Sequence, residues 1–259
     1  MQTVYIGNTL VNDIMLGSKR MDDVIATKRP LLIEWLAVGG GGSGATGTSS
    51  KNGGGGGAGR FVSSSILLSP TNTANSITIG QGGNGRVGTN LQGNDGGTTT
   101  FVLAGTSYTA PGGGGGGLGS GRAGGSGGGA GATGPASGGA GNQNGSPISG
   151  FGNAGGSSNG SVSYGENGGG ATANGNAGGT GMAWVDGITY AQGGGGTNGT
   201  DATVVGSGGY GNLNTTSGKG SNGIVKIRYA GTPIATGGTI TQSGGYTYHT
   251  FTTDGTFTY

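Results

Sequence analysis

An all-β chain interrupted by extensive glycine-rich, polyglycine II-like coil is predicted by three observations. Glycine fills 74 of 259 positions, about 29% against an average usage near 7%, and residues 39–223 hold all but eight of them. The segments between the glycine runs are short and rich in Val, Ile, Thr, Tyr and Phe, the residues that suit a pleated surface. No window places apolar residues at the i, i+3, i+4, i+7 spacing of a helix. Glycine loses more backbone entropy on folding than any other residue, so such a chain is disordered by default. Only 8% of its residues are charged, however, whereas disordered segments are typically charge-rich.

The elements follow in order. Residues 5–14 and 15–25 form a short internal repeat, each half reading apolar, apolar, Gly, small polar, then an Asp-Ile or Asp-Val pair. Each half is predicted to be a β-arm with a tight turn at glycine. Residues 26–30 form a linker ending at Pro30. Strong strands are expected at 31–38 and 61–68, a third at 76–79, then 99–103 and 106–109. Further strands are expected at 182–185, 188–190, 203–205 and 223–229. Between 112 and 223 the glycine runs lack the strict third-residue repeat and abundant proline of collagen. They can form left-handed helices of three residues per turn that keep their N–H groups, so neighbouring helices can hydrogen-bond side by side. At the C-terminus, Asp254-Gly255 separates 246–253 from 256–259, a two-residue hairpin signal. Three units result: an N-terminal repeat (1–30), a glycine-rich β domain (31–230) and a C-terminal β-hairpin arm (231–259).

The glycine-framed strands resemble a known family. The run Ile33-Glu34-Trp35-Leu36-Ala37-Val38-Gly39-Gly40-Gly41-Gly42, the run Gly53-Gly54-Gly55-Gly56-Gly57-Ala58-Gly59-Arg60-Phe61 and the run Ser76-Ile77-Thr78-Ile79-Gly80-Gln81-Gly82-Gly83 carry the resemblance, with the ending Gly218-Lys219-Gly220-Ser221-Asn222-Gly223-Ile224-Val225-Lys226-Ile227-Arg228-Tyr229. Together they are similar to the phage-type glycine-rich domain of virion structural proteins, often tail-fibre or appendage proteins of tailed phages. The resemblance covers roughly residues 31–230. It implies a non-enzymatic virion structural protein, a tail-fibre or appendage component that presents glycine-framed loops to the host surface. Capsid decoration is the alternative within that class. The resemblance also implies a homotrimer, other virion proteins as partners of residues 1–30, and a host surface glycan or protein as receptor. In the family a segment like 244–258 commonly precedes the Glu-hydrophobic-Leu strand. Here it ends the chain, which implies a truncated second copy, or a hairpin that pairs with 31–38 in the same or a neighbouring subunit.

Charge and composition exclude other classes. Eleven basic and nine acidic residues leave a net charge of +2, with no basic stripe to neutralise phosphates, so no nucleic-acid partner is expected. The absence of cysteine removes disulfides, thiol catalysis and Cys-based zinc sites. No apolar run approaches the ~20 residues of a membrane span. Residues 1–7 lack the basic and apolar regions of a signal peptide, so synthesis in the host cytoplasm and a place in the virion are expected, without membrane insertion.

Candidate chemistry is sparse. His249 is the only histidine and has neither a second histidine nor a cysteine to complete a transition-metal site. It reads as a strand residue beside Phe251. Asp95, Asp186 and Asp201 lie near glycines, but no calcium-binding repeat is present. A Ser-His-acid triad would depend on His249 alone. No cofactor, metal or enzymatic activity is expected. The candidate receptor-binding residues are the aromatics Phe151, Tyr164, Trp184, Tyr190 and Tyr210, read either as exposed rings stacking on sugars or as plugs filling a core otherwise made of glycine. The candidate attachment residues are Tyr5, Ile6, Leu10, Ile14, Leu16 and Val24. An ice- or surface-binding polyglycine protein would need a flat face with regular Thr or Ala spacing, which the glycine region lacks. An extracellular elastic glycine-rich protein fits poorly with two structured arms.

Overall fold

The computed structural model describes residues 30–69, 73–144, 147–161, 163–177 and 179–259, together with four short strands within the first twenty residues. Those four form two antiparallel pairs. β1 (Val4–Ile6) pairs with β2 (Thr9–Val11), and β3 (Met15–Leu16) pairs with β4 (Lys19–Arg20). Each half of the sequence repeat therefore forms its own pair, as predicted. Tyr5, Ile6, Leu10 and Leu16 lie on these strands, whereas Ile14 and Val24 lie outside the described residues.

The strands between Leu31 and Thr258 build two larger antiparallel sheets and two short pairs, one of them β10 (Pro135–Ala136) with β11 (Ser158–Asn159). The first has the order β15-β16-β14-β5-β6, from β5 (Leu31–Val38), β6 (Phe61–Leu68), β14 (Ile224–Ala230), β15 (Thr239–Ser243) and β16 (Tyr246–Phe251). The second has the order β17-β7-β8-β9, from β7 (Ala74–Thr78), β8 (Thr99–Leu103), β9 (Thr106–Ala110) and β17 (Gly255–Thr258). The two sheets share one apolar core. Trp35 of β5 meets Phe101 edge-on at 4.8 Å and Tyr108 at 4.7 Å. Ile33, Val225, Ile227, Tyr229, Phe251 and Phe257 are buried around them.

Only the first half of β5 alternates in burial. Glu34 on its outer face is half-buried, but Leu36 and Val38 on that same face are fully buried. A second apolar cluster covers them, formed with Phe61, Trp184, Tyr190 and Ile224 and with Ala58, Ala171 and Ala191. Trp184 and Tyr190 flank a tight turn. β12 (Met182–Ala183) pairs there with β13 (Thr189–Tyr190). This explains why Leu31–Val38 reads as an almost continuous apolar run, the signature of a strand buried on both faces.

The glycine segments form packed helices of three residues per turn. Along residues 53–60 successive N–H groups bond three different neighbours in rotation. Gly53, Gly56 and Gly59 donate to Asn212, Gly209 and Gly206; Gly54, Gly57 and Arg60 donate to Gly117, Gly114 and Pro111; Gly55 and Ala58 donate to Glu166 and Gly169. Partners that step by three residues identify the polyglycine II helix. The same rotation holds at 40–46, where Gly40, Ser43 and Thr46 donate to Gly97, Asn94 and Leu91. The predicted polyglycine II region thus extends N-terminally, beyond 112–223, to 39–60 and 80–97.

Three predictions are corrected. Asp254-Gly255 does not close a hairpin: β16 ends at Phe251 in the first sheet, and β17 begins at Gly255 and pairs with β7 in the second. Phe251 and Phe257 enter the common core from opposite sheets, so the chain crosses between layers, and Asp254 Oδ1 anchors the crossing by accepting from the Ile79 N–H at 2.8 Å. The hairpin turn lies instead at Gly244-Gly245, with φ of 58° and 81°, between β15 and β16. Nor does that hairpin pair with 31–38. β14 lies between β16 and β5, and all these contacts are within one chain. Finally, residues 203–205 are not a strand. The Ser207 N–H donates to the Val204 carbonyl and Gly206 has a φ of 71°, because the chain there must reverse direction between two glycine helices.

Candidate functional site

The three glycine-rich excursions, 39–60, 79–98 and 111–223, leave and rejoin the sandwich at the same end. Val38 is opposite Phe61 and Ile224, and Thr99 is opposite Ala110, so the strands adjoining the glycine segments finish together. The segment 39–47 runs outward and 52–60 returns, since Gly42 donates to Gly57 and Ala45 to Gly54. Residues 206–212 run outward beside 42–45, and 217–223 return. The connecting loops therefore gather at the far end of the bundle. Nine residues at ~3.1 Å each put them about 28 Å beyond the sheets. Thr46 bridges to both Leu91 and Asn212, and Val87 to Thr216, tying these loops together. Leu31, which follows the N-terminal repeat, lies at the opposite end of β5.

The five aromatics separate clearly. Tyr164 lies in a far-end loop and is 65% exposed. Phe151 is exposed on the flank, edge-on to Phe61 at 6.1 Å. Tyr210 is half-buried on a glycine helix. Trp184 and Tyr190 are buried in the second cluster, so the reading of these two as exposed sugar-stacking rings is corrected. They are plugs, because a layer of glycine supplies no apolar side chain of its own to cover Leu36 and Val38.

The polar groups around that cluster form a closed network, in which Lys226 joins Asp186 and Tyr190, two residues the sequence singled out separately. Lys226 Nζ lies 2.6 Å from Asp186 Oδ2, and the Tyr190 hydroxyl donates to the same oxygen at 2.7 Å. Burial pushes the Asp186 carboxyl up, but hydrogen bonds from Lys226, Tyr190 and the Ile188 N–H outweigh it and hold the carboxyl below its ordinary range. Burial and then Asp186 push the Tyr190 phenol far up, so it stays protonated and donates. On the same sheet face Arg228 pairs with Glu34 at 2.7 Å and lies over the Tyr246 ring at 4.2 Å. A shallow groove of about 380 Å³ runs beside it, lined by Glu34, Phe61, Ser63–Ser65 and Met182–Val185. Glu34, the charged residue among its lining, is already paired with Arg228.

Asp95 binds Arg122 at 2.6 Å and accepts from the Gly115 N–H, while Asp201 accepts from the Lys219 N–H. The three aspartates singled out from sequence thus serve three separate structural bonds. His249 is fully buried. Its Nδ1 donates to the Gly237 carbonyl at 2.7 Å and its Nε2 accepts from the Tyr229 hydroxyl at 3.0 Å. Burial holds its pKa below the ordinary value. Among the described residues no group of three His, Cys, Asp or Glu could hold a metal ion, and no helix is long and apolar enough to cross a membrane.

With this architecture in view, the family pattern described as a glycine-rich domain matches residues 24–230. The chain belongs to that glycine-rich domain family. The match takes in β5, all the polyglycine II helices and β14. It stops before β15, β16 and β17, although Phe251 of β16 and Phe257 of β17 lie in the core shared with β5 and β14. No curated protein matches the chain.

Proposed function

We propose that this glycine-rich domain protein is a non-enzymatic virion structural component of a tailed phage, a fibre or appendage protein that presents its far-end loops to the host surface. One observation carries the reading: the molecule is polar. The N-terminal repeat joins at one end of the sandwich, and the loops gather at the other, held out by helices whose backbone bonds are made to one another. Residues 1–30 attach the chain to other virion proteins, and the loops face a host glycan or protein. The assembled form is a homotrimer.

The test is composition and position in purified particles of the encoding phage. The chain is expected in particle digests, with gold-labelled antibody at fibre or appendage tips and light scattering giving three times the 24.4 kDa chain mass. Its absence from particles while present in the lysate would overturn the reading. Labelling of the capsid surface would instead favour decoration.

A further inference from the structure

Eight asparagines in the sequence are followed by glycine. In that pairing an asparagine side chain and the next backbone nitrogen meet with least obstruction, because glycine has no Cβ. The chemistry open to each pair is the same. The glycine amide nitrogen attacks the asparagine Cγ, its proton passes to the departing side-chain nitrogen, and ammonia leaves as a five-membered succinimide closes. Water then opens the ring to aspartate or isoaspartate. One water is consumed and one ammonia released, and no oxidant or cofactor takes part. The fold controls whether the attacking amide is available, since an amide held in a hydrogen bond reacts only after local opening.

The polyglycine II bundle occupies nearly all of these amides. Gly53 donates to the Asn212 carbonyl at 3.0 Å, Gly168 to Gly194 at 2.8 Å, Gly175 to Ala154 at 3.0 Å, Gly199 to Gly211 at 2.9 Å and Gly223 to Gly80 at 2.8 Å. Gly160 donates to the Ser158 hydroxyl at 3.1 Å. Gly145 lies outside the described residues. Gly85 is the exception, because among the described residues nothing accepts from its N–H. The asparagine before it is equally unrestrained. Asn84 is exposed, and only its backbone carbonyl is held, by Asn94 Nδ2 at 2.7 Å. The side-chain oxygens of Asn222 and Asn159 instead accept from the N–H groups of Gly82 and Ser161. Asn198 is exposed like Asn84, but the amide that follows it is bonded.

We infer that Asn84 is a site of self-modification by deamidation. Of the seven described Asn-Gly steps, it alone combines a free side chain with a free attacking amide. The site also lies where backbone length matters. On one side the Gly83 N–H donates to the Gly41 carbonyl, and the Gly83 carbonyl accepts from Gly220. On the other the Arg86 N–H donates to the Ser217 hydroxyl, and the Arg86 carbonyl accepts from the Ser217 N–H. Isoaspartate inserts an extra carbon into the main chain between these anchors and puts a carboxylate where a neutral amide stood. Both anchors cannot then keep their register, and the bridge from Val87 to Thr216 weakens with them.

The full chain is aged in mildly alkaline buffer, both folded and in concentrated urea. Digests taken over time are resolved by chromatography and mass spectrometry into their Asn, Asp and isoaspartate forms. In the folded chain Asn84 is expected to deamidate at least tenfold faster than any of the six bonded steps, and in urea that separation should disappear. A bonded step that matches Asn84 in the folded chain, or a separation that persists in urea, overturns the inference. Asn84→Gln gives a second readout, because the longer side chain closes the corresponding ring far more slowly. Ageing should lower the melting temperature of the native chain and spare that of Asn84→Gln. An equal loss in both would place the damaging event elsewhere and overturn Asn84 as the site.

Discussion

At the residue scale, glycine in this protein is required by packing more than by unusual dihedrals. Gly56 is not among the positive-φ residues, yet a Cβ there would overlap the Gly42 carbonyl and crowd Ser43. Alanine normally favours the folded state at a compatible glycine by about 0.4–1 kcal/mol through the unfolded chain. Overpacking costs about 1–3 kcal/mol, and here the obstacle is rigid backbone, so the clash wins. Gly56→Ala should lower stability by about 2 kcal/mol or more in urea denaturation. Gly119→Ala, where a Cβ meets nothing within 4 Å, should be neutral or stabilising. His249 gives a second prediction at this scale. Its folded pKa lies below the ordinary 6.5, so the unfolded chain takes up a proton first as pH falls. Stability from this site is fully present above pH 6.5 and is lost as pH drops through 6.5 towards the folded-state value. Denaturation midpoints between pH 7 and 5 should fall for the native chain and flatten for His249→Gln.

At the element scale, the turn at 184–188 is held over β14 by one buried pair. The Lys226 and Asp186 side chains are 11% and 8% exposed. Removing one partner of a buried pair costs about 3–5 kcal/mol, because the other is left charged and unpaired. Asp186→Asn should therefore destabilise by about 3 kcal/mol and open residues 182–191 to protease. Lys226→Met combined with Asp186→Leu should recover much of the loss, measured as a double-mutant cycle. This bond was invisible in the sequence, where Asp186 read only as an aspartate near glycine and Lys226 as one strand lysine. They are 40 residues apart, and no local spacing announces such a meeting. By contrast β5 and β6 were legible to the residue, because long β-rich runs bounded by glycine leave few alternatives.

At the scale of the whole molecule, residues 231–259 are part of the sandwich. They supply β15 and β16 to one sheet and the β17 edge to the other, and they bury Phe251, Phe257 and His249. Deleting 231–259 should abolish cooperative unfolding and expose the face of Ile227 and Tyr229 to a hydrophobic dye. A deletion that still melts in one sharp transition would mean the arm is dispensable to the fold. The bundle beyond the sheets is cooperative for a different reason. Each helix satisfies its N–H groups on neighbours in rotation, so no single glycine segment is a complete unit, and loss of one orphans the carbonyls or amides of three others.

The sequence by itself determined that the chain is all-β with three-residue-per-turn glycine coil, where the longer strands lie, and that the glycine runs pack against one another. These follow from local chemistry: side-chain shape, alternation, and the absence of a Cβ. Only the tertiary structure decided that Asp254-Gly255 crosses between sheets, that Trp184 and Tyr190 are buried while Tyr164 is not, and that the loops gather at one end. Asp-Gly favours a reversal only when no larger gain opposes it, and burying Phe251 and Phe257 from opposite layers does. Whether an aromatic in a glycine run plugs or protrudes depends on which strand face lies beneath it, and that is settled by contacts between segments far apart in the chain.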